Sequence, residues 1–469
     1  MSILAPDLTT LGRELAASLR LRGFGSQLIT PDNGRYEGAR RVWNGGVDRR
    51  PALIAECATP SDVALAIGAA RERGLPLAVR SGGHSVSGLS VCDDGVVVDL
   101  RGMRYANVDP ASRTMRVGGG ALLEDVSRAG QDYGLAVPTG QVSHTGIGGI
   151  ATGGGIGWLQ RRYGLTIDSI ESIQLVTADG EVVEADASRN ADLFWAVRGG
   201  GGNFGVVTEF RFRAHPVGPV VLAGMLVFEF DRAHEVIAAS RALQETVGED
   251  LTVAEVLAFA PPVAPFPEDL HGRPMVAVGL VWAGDVESGA RAVQPLRALG
   301  PALDLVQPMP YLATQFMVDD TAPHGLHQYS KAHWLRELGD DPLAAMIGAF
   351  EGATSPFSAI ILSRMGGAVE RVPADATAFA HREVHTSAWF TNLWPAGMGD
   401  DADHVEWVRR AYAMGEPWSM GTYVNALDDD GPRRAYPAAT WDRLVQVKRR
   451  WDPENVFRLN QNVPPDRAA

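Results

Sequence analysis

Leucines 8, 11, 15 and 19 recur at three- and four-residue spacing, with Arg13, Arg20 and Arg22 elsewhere on the same stretch, and this predicts an amphipathic packing helix. Residues 53–56 form an apolar run too short for a helix and read as a strand. Thr59-Pro-Ser-Asp62 follows with the residues of a capping box and proline at the first helical position, so a helix carrying Val63, Ile67 and Ala70 is expected to end at Gly74. Residues 75–79 read as the next strand, and residues 96–100, apolar except for Asp99, as a strand buried on both faces. Shorter alternations predict strands at 105–108 and 114–117, a helix at about 122–133, a strand–turn–strand over 173–185 and a helix over 191–197. An alternating strand at 206–212 closes this part of the chain.

Beyond Pro216 the pattern changes. Long strands at 220–230, 251–260 and 275–282 alternate with helices near 231–246 and 286–299, which predicts a second domain, residues 218–410, built on an antiparallel sheet with helices on one face. The chain therefore divides into 1–217 (core about 47–217), 218–410 and a C-terminal segment 411–469, with an α+β fold class throughout. Tyr311, Phe316, Met317, Tyr329, Trp334, Trp389, Phe390 and Trp394 suit an apolar or aromatic substrate pocket, each also having the ordinary role of core filler.

The composition narrows the function classes. Forty-five per cent hydrophobic and 21% charged residues describe a folded protein, and 42 basic against 56 acidic residues give a net charge of −14. A surface that acidic repels nucleic acid and anionic membrane. Two cysteines, Cys57 and Cys92, exclude a disulfide framework and a thiolate metal cage. With no signal-peptide pattern and no apolar run of membrane-spanning length, a cytoplasmic, bacterial-type enzyme is expected. Glycine is the outlier, 53 residues against roughly 33 at average usage, concentrated between Gly82 and Gly205.

Three stretches carry candidate chemistry. In Val79-Arg-Ser-Gly-Gly-His-Ser-Val-Ser-Gly88 a single nucleophilic side chain, His84, stands among residues with almost none, a setting in which backbone N–H groups can wrap a phosphate-bearing ligand. Residues 138–157 hold the densest glycine run. Within it Gly146-Ile-Gly-Gly-Ile-Ala151 formally matches a dinucleotide fingerprint, with Asp168 as its acidic partner, but no strand run precedes it and glycines continue where the helix should be under way. A long backbone cradle for a large planar cofactor fits better. A second cluster, residues 198–205, and the terminal Trp451-Asp-Pro-Glu-Asn-Val-Phe-Arg-Leu-Asn-Gln-Asn462 complete the set, the latter offering amide donors and acceptors to a ring edge. His381 and His385 stand at i and i+4, but not within H-E-x-x-H, and a packing or surface role is expected; no metal is expected anywhere.

The His84 loop, the glycine run with Tyr163-Gly-Leu-Thr-Ile-Asp168, and the terminal D-P-x-N-x-F-R-x-N-Q-N together resemble the vanillyl-alcohol oxidase superfamily, and within it the berberine-bridge-enzyme-like branch. The likeness is strongest over about 40–215 and 420–463 and extends to bacterial members of secondary metabolism, such as the enterocin-pathway oxidase, and to hydroxynicotine oxidases. It implies an FAD-binding domain of the PCMH type, made of two α+β subdomains and completed by the C-terminal segment, with the middle domain roofing the flavin.

The same resemblance implies an 8α-histidyl FAD on His84, with the pyrophosphate cradled by Ser81, Gly82, Gly83 and Ser85 together with Gly146, Gly149, Gly153 and Gly157. Val206 would meet the adenine side through its backbone, and Tyr423, Asn425 and Asn462 would approach the flavin ring. Two departures matter. Val142 occupies the position of the second, cysteinyl attachment, so one covalent bond is expected, with Cys57 and Cys92 free; Ala426 occupies the position of the catalytic tyrosine in Y-x-N-Y. The base then falls to Tyr423, Tyr329, His327, His385 or the substrate itself. The implied reaction is hydride transfer from a small hydrophobic, aromatic or polyketide-like substrate to FAD, with O2 as acceptor. Thr145, at the family's oxygen-pocket position, keeps a flavin-N5-oxide oxygenase as an alternative. From another class, a nicotinamide dehydrogenase or a cofactor-free binding protein would be colourless where a flavoprotein is yellow.

Overall fold

The computed structural model describes residues 7–466; the outermost residues of the first and last predicted spans, 1–6 and 467–469, lie outside the described residues. The leucine-spaced helix is Leu8–Leu21, and it packs with Pro60–Glu72 on a four-stranded sheet ordered Gln27–Ile29, Leu53–Glu56, Val96–Asp99, Leu77–Arg80. The capping box forms as predicted: Asp62 N–H donates to the Thr59 hydroxyl, and the Asp62 carboxylate accepts from Thr59 N–H. Two of these strands flank Val96–Asp99 in parallel, which buries all four of its residues and explains its near-continuous apolar sequence. His84 follows the edge strand Leu77–Arg80 of this sheet.

A second sheet, five antiparallel strands ordered Ala106–Asp109, Thr114–Gly118, Val206–Arg213, Ile170–Val176, Val182–Asp186, carries the glycine run against its helices. Within the run read as a long backbone cradle, the structure places a helix. Residues Ile147–Gly153 form a short helix, and the chain then turns through Gly154 and Gly155, both at positive φ. Small residues allow this helix to sit directly against the kinked helix Ala191–Gly200.

The third sheet has eight antiparallel strands, drawn from Val220–Glu229 through Thr386–Trp394. Helices Ala233–Thr246, Asp340–Phe350 and Asp401–Gly415 cover one face. The other face turns toward the glycine loops. Three of its strands had escaped the sequence reading: His327–Leu335, Ala359–Arg364 and Thr386–Trp394. The C-terminal helix Ala438–Trp451 returns to the five-stranded unit, where Leu444, Val445 and Val447 enter its core. Lys448, fully buried, donates to Asp452, Asn203 O and Phe457 O, while Asp452 accepts from Val456 and Phe457 N–H. The terminal motif is thus a folded knot around one ion pair.

Candidate active site

Glycines on the two loops are needed first by each other. A Cβ on Gly146 would collide with the Gly82 nitrogen, and one on Gly82 with the Gly146 nitrogen, so the His84 loop and the glycine run cross backbone to backbone. Gly157 is pressed on Thr139 O, and Gly153 leaves room for the Asn425 amide. Of the predicted cradle glycines, only Gly149 faces open space; Gly202 in the second cluster does the same. The predicted serines are also occupied within the protein. Ser81 Oγ donates to Gly119 O (2.7 Å) and accepts from Gly148 N (3.2 Å), and Ser85 Oγ accepts from Leu89 N. Ser87 Oγ, Ser90 Oγ and Asn462 Oδ1, by contrast, are buried without a partner.

His84 is half-buried, and its ring is sandwiched in a specific way. Trp43 stacks on it at 4.8 Å and 15°, and Trp43 N–H donates to Gly83 O. Its Nε2 lies 2.6 Å from Nδ1 of His144, and His324 closes the group, one nitrogen of each ring lying within 4.8 Å of the others. His144 comes from the glycine run, beside Thr145, in a loop fixed by Asp319, which accepts from Ser143 N–H and Oγ–H. His324 arrives from the roof domain because residues 322–326 clasp the Trp43–Gly45 segment: Trp43 Nε1 donates to Ala322 O, Gly45 N to Leu326 O, and Gly325 N to Trp43 O. Burial, first, and then the neighbouring imidazoles push the pKa of His84 well below the ordinary histidine value. No metal was expected, yet three imidazoles converge. Two nitrogens on one tetrahedral ion with bonds near 2.0–2.1 Å stand about 3.3 Å apart, so the 2.6 Å contact is a hydrogen bond.

The other end of the site is Tyr423. Its hydroxyl accepts from Gly155 N–H and from Asn425 Nδ2, both at 2.9 Å, inside a box of Trp334, Phe379 and Trp389 with ring centroids 5.6, 6.4 and 6.2 Å away. Burial pushes its phenol up to about 12. Ala426 sits one turn on, in a short helix, and is buried.

The structure does not bring the remaining base candidates here. Side chains alternate across His327–Leu335, so Trp334 faces the Tyr423 box while Tyr329 faces the helices, its hydroxyl donating to Asp429 (2.9 Å) and accepting from Arg409. His327 faces Asp401 and Trp394, and His385 faces Glu370. His381 bonds Ala435 O. Val206 opens its strand opposite Val176 with its side chain in the core. Asp168 is engaged elsewhere, in a buried two-pronged ion pair with Arg382 at 2.8 Å. Of the predicted pocket aromatics, Phe390 and Trp394 join Tyr329 in the helix-side core, and Phe316 is exposed. The sequence reading missed Trp43, His144 and His324; a histidine inside the glycine run was the available signal for His144.

Comparisons with known proteins define the class as that of the flavin-linked oxidoreductases. The FAD binding domain family matches residues 51–186, and the berberine and berberine like family matches residues 422–464. An FAD-linked oxidoreductase of Dictyostelium discoideum is 31% identical over 434 residues, 92% of either chain. The (R)-6-hydroxynicotine oxidase of Paenarthrobacter nicotinovorans is 29% identical over 97% of this chain and 100% of that one. The crystal structure of 6-hydroxy-D-nicotine oxidase from Arthrobacter nicotinovorans superposes with a TM-score of 0.84 at 27% identity, covering 95% of this chain and 99% of that one. The chain belongs to the berberine-bridge-enzyme-like family of FAD-linked oxidoreductases.

Among the described residues no helix is long and apolar enough to cross a membrane. Both cysteines are free and buried, Cys92 with its thiol pushed up to about 12 by burial, and neither lies in a glycine loop.

Proposed function

We propose that this enzyme is an oxidase that holds FAD through one covalent bond to His84 and oxidises a small aromatic amine or phenol, with O2 as the final acceptor. The carrying observation is the His84 ring: Nε2 is tied to His144, while Nδ1 makes no hydrogen bond among the described residues. The protein around it fits the cofactor. Ser87, Ser90 and Asn462 present unpartnered polar atoms, and Gly149 and Gly202 present bare backbone to open space. Val142 offers no second attachment.

Bound FAD supplies the two-electron acceptor for a hydride from a substrate carbon. The chain's own part is position and proton control. Tyr423 accepts from Gly155 N–H and Asn425 Nδ2 and is held neutral, so it orients Asn425 as an acceptor and keeps its own O–H to donate to the ring edge rather than acting as a base. Alanine at 426 leaves that position without a hydroxyl. A substrate whose own nitrogen or phenolic oxygen pushes the hydride off needs no base, and the Trp334, Trp389 and Phe379 walls suit an aromatic body.

The test is acid precipitation of the purified yellow protein. The flavin is expected in the pellet and, by mass, on the peptide holding His84; flavin in the supernatant would sink the tether. Stoichiometric hydrogen peroxide during turnover of aromatic amines and phenols separates an oxidase from an oxygenase.

A further inference from the structure

We infer that His144 and His324 are a proton relay that makes His84 a nucleophile for its own cofactor attachment. This rests on the tether proposed above, and it assigns residues that tether alone does not need.

The geometry sets the roles. A neutral imidazole carries one N–H, and whichever nitrogen is bare is the nucleophile. The 2.6 Å contact between His84 Nε2 and His144 Nδ1 requires one proton between them. Placed on Nε2, that proton donates to His144 and leaves Nδ1 of His84 with its lone pair free. Trp43, stacked at 15°, stops the ring from turning and exchanging the two nitrogens. Crowding keeps both rings neutral, as a nucleophile and its acceptor must be.

The attachment reaction balances through this arrangement. The bond formed joins His84 Nδ1 to the 8α methyl carbon of FAD, and the bond broken is one methyl C–H. The electron pair of that C–H bond reduces the flavin by two electrons. Its proton, together with the Nε2 proton of His84, completes the reduced flavin by way of solvent, and O2 then takes both electrons and both protons as hydrogen peroxide. As Nδ1 acquires carbon, Nε2 becomes strongly acidic and must lose its proton. His144 Nδ1 is the acceptor in contact. His324, with ring centroid 4.6 Å from His144, is the exposed member of the three and passes the proton on to water. Afterwards the same hydrogen bond persists in reverse, His144 donating to the linked His84.

The test compares wild-type protein with His144→Gln, His144→Phe and His324→Gln, each produced under flavin starvation and then supplied with FAD in air. Bound flavin is measured after desalting, and covalent flavin by fluorescence of the denatured band. Both His144 variants are expected to bind FAD and to form the covalent bond about 10²-fold more slowly, with added imidazole restoring the rate in His144→Gln. His324→Gln, which leaves the acceptor in place, is expected to be slowed only severalfold. Covalent attachment at the wild-type rate in both His144 variants overturns the relay. So does loss of flavin binding in both, because a relay acts on bond making and not on binding. A wild-type flavin that is never covalent overturns instead the tether itself, so the two failures are told apart.

Discussion

The two ends of the site are built on opposite principles. Around His84 three imidazoles meet with one edge open to solvent and, among the described residues, no carboxylate bonded to any of them. Around Tyr423 one phenol is sealed among aromatic rings with its oxygen saturated by two donors. In the first arrangement burial lowers the pKa of all three rings, so neutral imidazoles stand in contact with an edge open to water. The second fixes a proton in place, since an anion there would have neither solvent nor a cation in contact. Titratable side chains on neighbouring loops can therefore stand in opposite settings: one end is left open to water, while the other is sealed and holds a shape.

The comparison can be broken most severely at the sealed end. Asp168→Ala leaves Arg382, which lies over the Phe379 ring, as an unpaired buried cation, and a stability loss of about 3–5 kcal/mol by urea denaturation is expected. The back of the roof gives the next effect. His333 is fully buried, stacked on Tyr412 at 3.8 Å, and its pKa is lowered by burial from 6.5 to about 4. Between those values the unfolded chain binds a proton that the folded ring refuses, so its stability contribution is present above pH 6.5 and drains as the pH falls toward 4. His333→Gln should lose about 3 kcal/mol less than wild type across that window. At the open end, Gly146→Ala forces the loops apart; about 1–3 kcal/mol of overpacking and a lower flavin content of the purified protein are expected, measured by melting and by the ratio of flavin to protein absorbance. The smallest change sharpens the contrast. Tyr423→Phe strands Gly155 N–H at about 1–3 kcal/mol, yet the pH profile of turnover should keep its shape; loss of the limb on which turnover rises with pH would make Tyr423 a base after all.

The sequence showed the fold where hydrophobic period and burial coincide. Pro60–Glu72 with its cap, Val96–Asp99 and the first strands of the roof were legible for that reason. His327–Leu335 was not, because its buried face includes Lys331 and His333, polar groups satisfied by Asp429, Asp430, Ser419 and Tyr412 from distant parts of the chain. A pattern of polar and apolar residues cannot register partners supplied across a hundred residues. The glycines illustrate a subtler limit. Their density correctly marked close backbone approach, but the partner at Gly82 and Gly146 is another loop of the same protein. Asp168 stood at a fingerprint distance and is a salt-bridge residue, and Tyr329 fell on the wrong side of the pleat from Trp334. His84 could be singled out because its neighbours in sequence have almost no side chains, but its contacts with Trp43, His144 and His324 come from a loop crossing and a distant segment that no local pattern records.

The buried knot at the end of the chain has a consequence for timing. Lys448 holds Asn203 O from the second glycine cluster, and Asn203 in turn binds the backbone of Gln461 and Val463. A loop near position 200 thus waits for residues made some 260 positions later. The cluster therefore gains its full set of hydrogen bonds only once residues 448–463 have been made and have docked, which ties the shape of an early glycine loop to a late part of the chain.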